Sequence, residues 1–318
     1  MAVHTLASLT KELDAYIRKV YLQRLTEVPP EYTAYTKAEA WDKNGDRFAP
    51  FLRGYQVPGA LPAQQFPEHT PIPQQDLREG RSKDVYSVRF GTSLSFSYQK
   101  IKMGSGIYNS ARRAAELLAD SYRMTVEAYW GALLGEATNP AAPPELLGFD
   151  GQPLCSTNHT LLNGNTVSNL STTASDPTYT TLNTVITAVA RTVNEDGNPY
   201  PIFRVNTLFV PPELEQPAYE AIKSSGRPDT ANRADNVIRY RLNTTLTQDS
   251  VVTLLWIPQT HWFAADSARH TLTRYVLEDQ AITGPYVDEK THDHTWQLTF
   301  WIGRTFWDWR GIYGVPKP

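Results

Sequence analysis

The chain holds a single cysteine, Cys155, among 318 residues. That excludes a disulfide framework within the chain and a zinc site built from several cysteines. No apolar run reaches the roughly 20 residues that a membrane-crossing helix needs. The start, Met1-Ala2-Val3-His4-Thr5-Leu6, has no basic segment followed by an apolar one, so no secretory leader is expected. Net charge is also scarce: 30 Lys and Arg stand against 33 Asp and Glu, for a total of −3. Domains whose main work is gripping nucleic acid through its phosphates are clearly basic, which argues against that class. Apolar residues make up 41% of the chain. That is enough for one large core or two modest ones in a soluble, intracellular-type protein.

What is present is uneven. Leu6, Leu9, Leu13, Ile17, Val20 and Leu25 fall on one face of a helix that Pro29-Pro30 stops. Such a helix lies either on its own domain or on a neighbouring subunit, and the spacing does not choose. Residues 58–73 carry Pro58, Pro62, Pro67, Pro71 and Pro73, a density that denies helix and sheet interior alike. Directly afterwards Tyr86, Val88, Phe90, Leu94, Phe96 and Tyr98 alternate with Ser87, Arg89, Ser93, Ser95 and Ser97. This is the pattern of a strand with one apolar face, and Gly91 suggests a bend or bulge in it. With Arg47–Val57 as antiparallel partner, residues 46–98 read as a long two-stranded arm tipped by the proline-rich loop. An isolated hairpin is marginal in water, so the arm is expected to take shelter on another copy of the chain.

The longest helix is expected over about 107–136, where Ile107, Ala111, Ala114, Leu118, Tyr122, Val126, Tyr129 and Leu133 recur every three or four residues. Asp176-Pro177 reads as N-cap and first residue of another helix. Thr207–Val210 and Val251–Ile257 read as buried strands, and Pro211-Pro212-Glu213 opens a helix expected to stop at Gly226. Near the end Trp296, Leu298, Phe300 and Ile302 alternate with Gln297 and Thr299, as in a strand covered on one side.

Few residues are placed for chemistry. Cys155 and His159, four apart, could be imagined as thiolate and base, but a loop cysteine beside a loop histidine is the plainer reading. His292 and His294 could point one way from a strand toward a metal, yet no third ligand is spaced to match, which favours a solvated loop. Gly104-Ser105-Gly106 lacks the third glycine of a dinucleotide-binding turn. No catalytic, cofactor-binding or metal-binding residues are therefore assigned.

The segment Asp150-Gly151-Gln152-Pro153-Leu154-Cys155-Ser156-Thr157-Asn158-His159, with Asn163-Gly164 and Ser168-Asn169-Leu170 after it, resembles the major capsid proteins of tailed bacteriophages, near the Mu-type major head subunit. The resemblance continues through Thr207–Glu215, Asp229–Asn232, Trp262-Phe263 and Asp308-Trp309-Arg310-Gly311-Ile312-Tyr313-Gly314. Cys155 departs from it, standing where phenylalanine is common. The resemblance implies an α+β fold of the Hong Kong 97 type. Its parts would be an N-terminal arm (1–45), an extended β-hairpin or E-loop (46–98) and a P-domain (99–159) with a spine helix at about 107–136. An A-domain (160–285) and a C-terminal P-domain strand (286–318) would complete it.

The function so implied is structural. A major capsid protein would assemble with itself into pentamers and hexamers of an icosahedral head around double-stranded DNA, contacted non-specifically. The short N-terminal extension leads us to expect a separate scaffolding protein, and the family implies a portal and has room for a decoration protein, without enzymatic activity, cofactor or membrane. Assembly would take place in the host bacterial cytoplasm, and the product would be the virion capsid. Two alternatives stand beside it: an encapsulin-like compartment of the same fold that holds protein, and a hydrolase using Cys155 with His159 or a histidine pair.

Overall fold

The computed structural model describes residues 6–27, 29–41, 50–56, 80–103, 106–226, 235–238, 250–256 and 260–318. The proline-rich stretch 58–73, Gly104-Ser105 and Asp229–Asn232 lie outside these residues.

The chain opens with helix α1 (Leu6–Thr26), a short helix α2 (Tyr32–Tyr35) and strand β1 (Lys37–Ala40). Strands β2 (Phe51–Tyr55) and β3 (Ser82–Tyr86) precede β4 (Val88–Phe96), helix α3 (Tyr98–Met103) and the 29-residue helix α4 (Ile107–Gly135). Strands β5 (His159–Thr160) and β6 (Thr166–Val167), helix α5 (Tyr179–Ala190), β7 (Thr207–Val210) and helix α6 (Glu215–Lys223) follow. The remainder is strand: β8 (Val251–Thr253), β9 (His261–Ala265), β10 (Leu272–Val287), β11 (His294–Phe306) and β12 (Ile312–Pro316).

Two four-stranded sheets carry the body. The first has the order β1-β10-β11-β4, with β1 parallel to β10 and the other pairs antiparallel. Trp296, Leu298, Phe300 and Ile302 of β11, all buried, face α4 through Ile107, Ala111, Ala115, Leu118, Val126 and Trp130. The alternation that marked β11 in the sequence is this one covered face. The second sheet has the order β12-β9-β7-β8. Leu208 and Val210 of β7 pack with α5 and α6 on one side. Phe209 packs with Leu133, Leu134 and Leu154 on the other. A strand covered on both faces needs no polar positions, which is why Thr207-Leu208-Phe209-Val210 reads as an unbroken run.

Several expectations are corrected. The alternating stretch expected as one long arm strand is broken at Ser87. Before it Lys83 and Val85 are buried; after it Phe90, Leu94 and Phe96 turn inward, so the buried parity switches from odd to even. Only β2 and β3 form the hairpin, paired from Phe51↔Tyr86 to Tyr55↔Ser82. Strand β4 leaves it for the first sheet, where it pairs continuously with β11 from Val88↔Ile302 to Phe96↔His294. Gly91 sits in register against Thr299 with no bulge, so the break lies four residues before the glycine expected to make it.

The shelter differs too. Leu52 and Val85 cluster with Trp41 and Tyr275 of the same chain. The foot of the ribbon is therefore covered on one face by its own molecule.

The N-terminal helix is likewise no free arm. Leu13, Ile17 and Tyr21 lie in the core beneath α4. Arg24 bridges to Asp120 at 3.0 Å, and Trp296 Nε1 donates to Asp14 at 3.0 Å. Residues 160–285, expected as one domain, supply strands to both sheets, because β10 joins the first. Of the C-terminal piece 286–318, β11 lies in the first sheet but β12 crosses to the second. Helix α5 begins after Thr178, whose Oγ1 accepts from the Thr181 amide, rather than at Asp176-Pro177. Helix α6 ends at Lys223, ahead of Gly226. Strand β8 stops at Thr253, leaving Leu255 exposed.

Candidate functional site

The motif residues scattered through the sequence meet at the junction of the two sheets. The link between β11 and β12, Trp307–Gly311, runs over the loop 147–170, and both touch the foot of the β2–β3 hairpin. Gly311 turns this link with φ of 87°, a backbone conformation that favours glycine, and a Cβ there would come 3.0 Å from the Phe203 ring.

At its centre His159 is fully buried. Its ring stacks on Trp309 with centroids 4.3 Å apart and planes at 7°. Nδ1 lies 2.7 Å from Asp150 Oδ2, and Nε2 lies 3.0 Å from Asn169 Oδ1. The Asn169 amide fixes the hydrogen positions. Its Nδ2 donates to the carbonyls of Leu154 (2.8 Å) and Ile312 (3.1 Å), and its Oδ1 accepts from the Ser156 amide at 2.8 Å. Oδ1 is therefore an acceptor toward His159, which must donate from Nε2. Burial pushes the Asp150 carboxyl up, but the hydrogen bond from His159 and two backbone amides outweigh it and hold it below the usual carboxylate range. Asp150 and Asn169 thus hold the two ring nitrogens of His159 from opposite sides.

A second charged cluster borders the first. Arg310 Nη2 meets Glu195 at 2.7 Å, Nη1 meets Asp308 at 3.1 Å, and Nε donates to the Val193 carbonyl. Its guanidinium also lies 4.6 Å from the centroid of the Trp309 ring. Glu195 uses its other oxygen on the Leu162 amide. These contacts tie the loop after α5 to both the β11–β12 link and the 147–170 loop.

The hairpin foot closes the site. Gly54 lies against Trp307 so closely that a Cβ would fall 2.0 Å from the indole ring. Arg81 Nη1 donates to the Thr160 carbonyl at 2.8 Å. Lys83 is buried, and Nζ donates to the carbonyls of Glu145 (2.9 Å) and Phe306 (3.2 Å) while standing 4.7 Å from the centroid of the Phe306 ring. Burial lowers its ammonium to about 7. A cavity of about 450 Å³ remains between the hairpin and the link, lined by Arg53, Tyr55, Asp150, Trp307 and Arg310 among others.

The family model described as phage capsid protein matches residues 81–315, which hold every part of this junction except β2. The chain belongs to the phage capsid protein family. The α+β architecture of this capsid protein is that of the tailed-phage Hong Kong 97-type shells. A solved structure of Mycobacterium phage Patience superposes with a TM-score of 0.53 at 10% identity, over 98% of this chain and 87% of that one. The capsid of Myoviridae phage XM1 gives 0.49 at 11% identity, over 88% and 89%. A virus-like particle from Pyrococcus furiosus gives 0.49 at 10%, over 94% and 97%. No curated protein matches.

In the capsid protein Cys155 and His159 are not assembled as nucleophile and base. Both ring nitrogens of His159 are engaged by Asp150 and Asn169, while the Cys155 sulfur faces Gly314, where an added Cβ would sit 3.1 Å from it. Burial pushes the thiol far above its usual range, the reverse of what a thiolate nucleophile requires. Both residues are buried. His292 sits in the turn Asp288–Asp293 with φ of 59°, whereas His294 is buried as the first residue of β11. The solvated-loop expectation therefore fails for His294. Among the described residues no group of three or more His, Cys, Asp or Glu side chains is placed to hold a metal, and no helix is long and apolar enough to cross a membrane.

Asn169, Glu195 and Lys83 were missed as contributors to this junction. Asn169 was quoted only as part of a motif, although a single buried amide serving five partners is its centre. One of those five is the weaker bond to the Trp309 carbonyl at 3.4 Å. No local pattern distinguishes it from the other asparagines of a turn-rich stretch.

Proposed function

We propose that copies of this chain join as pentamers and hexamers and close into the icosahedral head of a tailed phage, around double-stranded DNA. The observation that carries this reading is the family match across residues 81–315. The hairpin foot adds a physical reason for self-association. Its inner face is covered by Trp41 and Tyr275, but the outer face shows Tyr55 and Tyr86, exposed at 64% and 55%, around the Arg53–Asp84 ion pair. Aromatic rings beside a fixed charge pair suit burial against a neighbouring subunit. In this reading β2–β3 is the foot of the E-loop, α4 the spine of the P-domain, and the second sheet the A-domain. The junction around His159 sets the angle between the hairpin and the body. A separate scaffolding protein, a portal and a decoration protein would be its partners, and assembly would occur in the bacterial cytoplasm.

Negative-stain microscopy of the expressed chain, with and without a co-expressed scaffolding partner, tests the proposal. Uniform angular shells, sheets or tubes with nuclease-protected DNA in the infected cell are expected. A chain that stays monomeric under every condition overturns it. Shells filled with a specific protein would replace the DNA-containing head by an encapsulin-like compartment.

A further inference from the structure

Charge is segregated within this nearly neutral chain. Residues 85–115 hold five basic side chains, Arg89, Lys100, Lys102, Arg112 and Arg113, and no acidic one. All five are exposed. The fold brings Lys100 of α3 and Arg113 of α4 to one groove, with Arg112 in the concavity next to it. Three acidic groups lie nearby, each engaged: Glu116 pairs with Arg112 at 2.9 Å, Glu12 lies 3.4 Å from the Tyr108 hydroxyl, and Asp293 accepts from the Tyr98 amide. Among the described residues no carboxylate lies within ion-pair distance of Lys100, Lys102 or Arg113.

Between the end of β4, α3 and α4 runs an open groove of about 490 Å³, lined by Ser95, Ser97, Lys100, Ser110, Arg113 and Leu117 among others. A second concavity of about 530 Å³ along α4 shares Ser110 and Arg113 and is also lined by Asn109, Arg112 and Glu116, the last two paired with each other. Cations interleaved with hydroxyl groups along a trough match the oxygen-rich, singly charged phosphates of a nucleic-acid backbone. Nothing in the groove is shaped to read base edges.

We propose that this face, centred on Lys100 and Arg113, is the surface by which the shell touches the backbone of double-stranded DNA without regard to sequence. The inference rests on the reading of the chain as a DNA-enclosing shell and adds to it the place of contact. It is compatible with a net charge of −3 because a wall needs a local cationic strip, not a basic domain.

The test titrates a short labelled DNA duplex with the full chain as unassembled subunits over a range of salt concentrations. Lys100→Ala combined with Arg113→Ala is compared with Arg191→Ala combined with Lys223→Ala, two exposed cations elsewhere. Losing two phosphate contacts lowers the slope of log K against log salt by about 1.8. The control pair is expected to leave the slope unchanged, and equal thermal melting shows that both variants are folded. An unchanged slope in the Lys100/Arg113 variant, or equal weakening in both variants, overturns the proposal. So does a variant that keeps duplex binding but loses an acidic protein partner on co-expression. Microscopy separates this inference from the reading it rests on. Shells from the parent with no change in DNA binding refute the contact face alone, whereas no shells from either protein remove both.

Discussion

Lys83 makes a quantitative claim about pH. Its ammonium is buried beneath the hairpin foot, where the three donors of the charged form are met by the Glu145 and Phe306 carbonyls and the Phe306 ring. Burial nevertheless lowers its pKa from an ordinary 10.5 to about 7, against the opposing pull of Glu145 and Asp150. Below pH 7 both folded and unfolded chains carry this proton, and the pH does not alter its contribution. Between pH 7 and about 10.5 the unfolded chain binds more of it, so stability rises with pH. At 1.36 kcal/mol per unit the full window amounts to about 5 kcal/mol, an upper bound because the foot can open and admit water.

Lys83→Met removes the charge and keeps the length. The Glu145 carbonyl retains a donor in the Thr305 hydroxyl at 3.0 Å, whose single hydrogen can turn instead to the Phe306 carbonyl at 3.3 Å. The variant should therefore be more stable than the parent at pH 7 by about 1–4 kcal/mol, the range seen when a buried charge gives way to a well-packed apolar group. The difference should shrink as the pH rises toward 9.5. Urea midpoints of the unassembled chain, read at half-unit steps from pH 7 to 9.5, measure it. Parallel parent and variant curves would refute the reasoning, since they would mean that Lys83 does not titrate in a buried site.

The Asp150–His159 pair acts at the opposite end of the scale. Because the folded-state pKa of Asp150 is depressed, its contribution is present above about pH 4 and is lost as the pH falls through the lowered value. Asp150→Asn should destabilise the chain at pH 7 by about 3–5 kcal/mol and flatten the acid limb, as thermal melts from pH 2 to 7 would show. Gly54→Ala places a methyl group inside the space of the Trp307 ring, so the hairpin foot should loosen by about 1–3 kcal/mol. Hydrogen exchange should then rise in the amides of β2 and β3 while those of β7 stay protected. Cys155 should remain inert to thiol reagents in the native chain and react fully in denaturant. Fast native labelling would contradict its burial.

Legibility from sequence followed the range of the interaction involved. Helix α4 was readable because its apolar spacing and its ends lie within its own residues. The face of β11 was readable because alternation records that one side is covered. The phage-capsid resemblance came from the same kind of local signal, short motifs in a fixed order. What alternation cannot record is which partner does the covering. The apolar alternation runs from Tyr86 to Tyr98 in the sequence, yet the buried parity switches at Ser87, between a strand paired with β2 and one paired with residues 294–302. The inner face of the hairpin foot finds its shelter on Trp41 and Tyr275 and β4 finds its own on β11, while the outer face with Tyr55 and Tyr86 stays open.

The junction divides in the same way. The sequence by itself determined that Asp150, His159, Asn169, Trp309 and Arg310 occur in recurrent motifs, and that no spacing among them designates a catalytic set. Tertiary structure alone decided that His159 turns both nitrogens to Asp150 and Asn169, away from Cys155. It also decided that Lys83, outwardly a surface residue in a polar strand, is buried. The physical reason is that burial and pairing belong to the space between elements, where a charge's surroundings are set by segments more than two hundred residues away, as Phe306 is from Lys83.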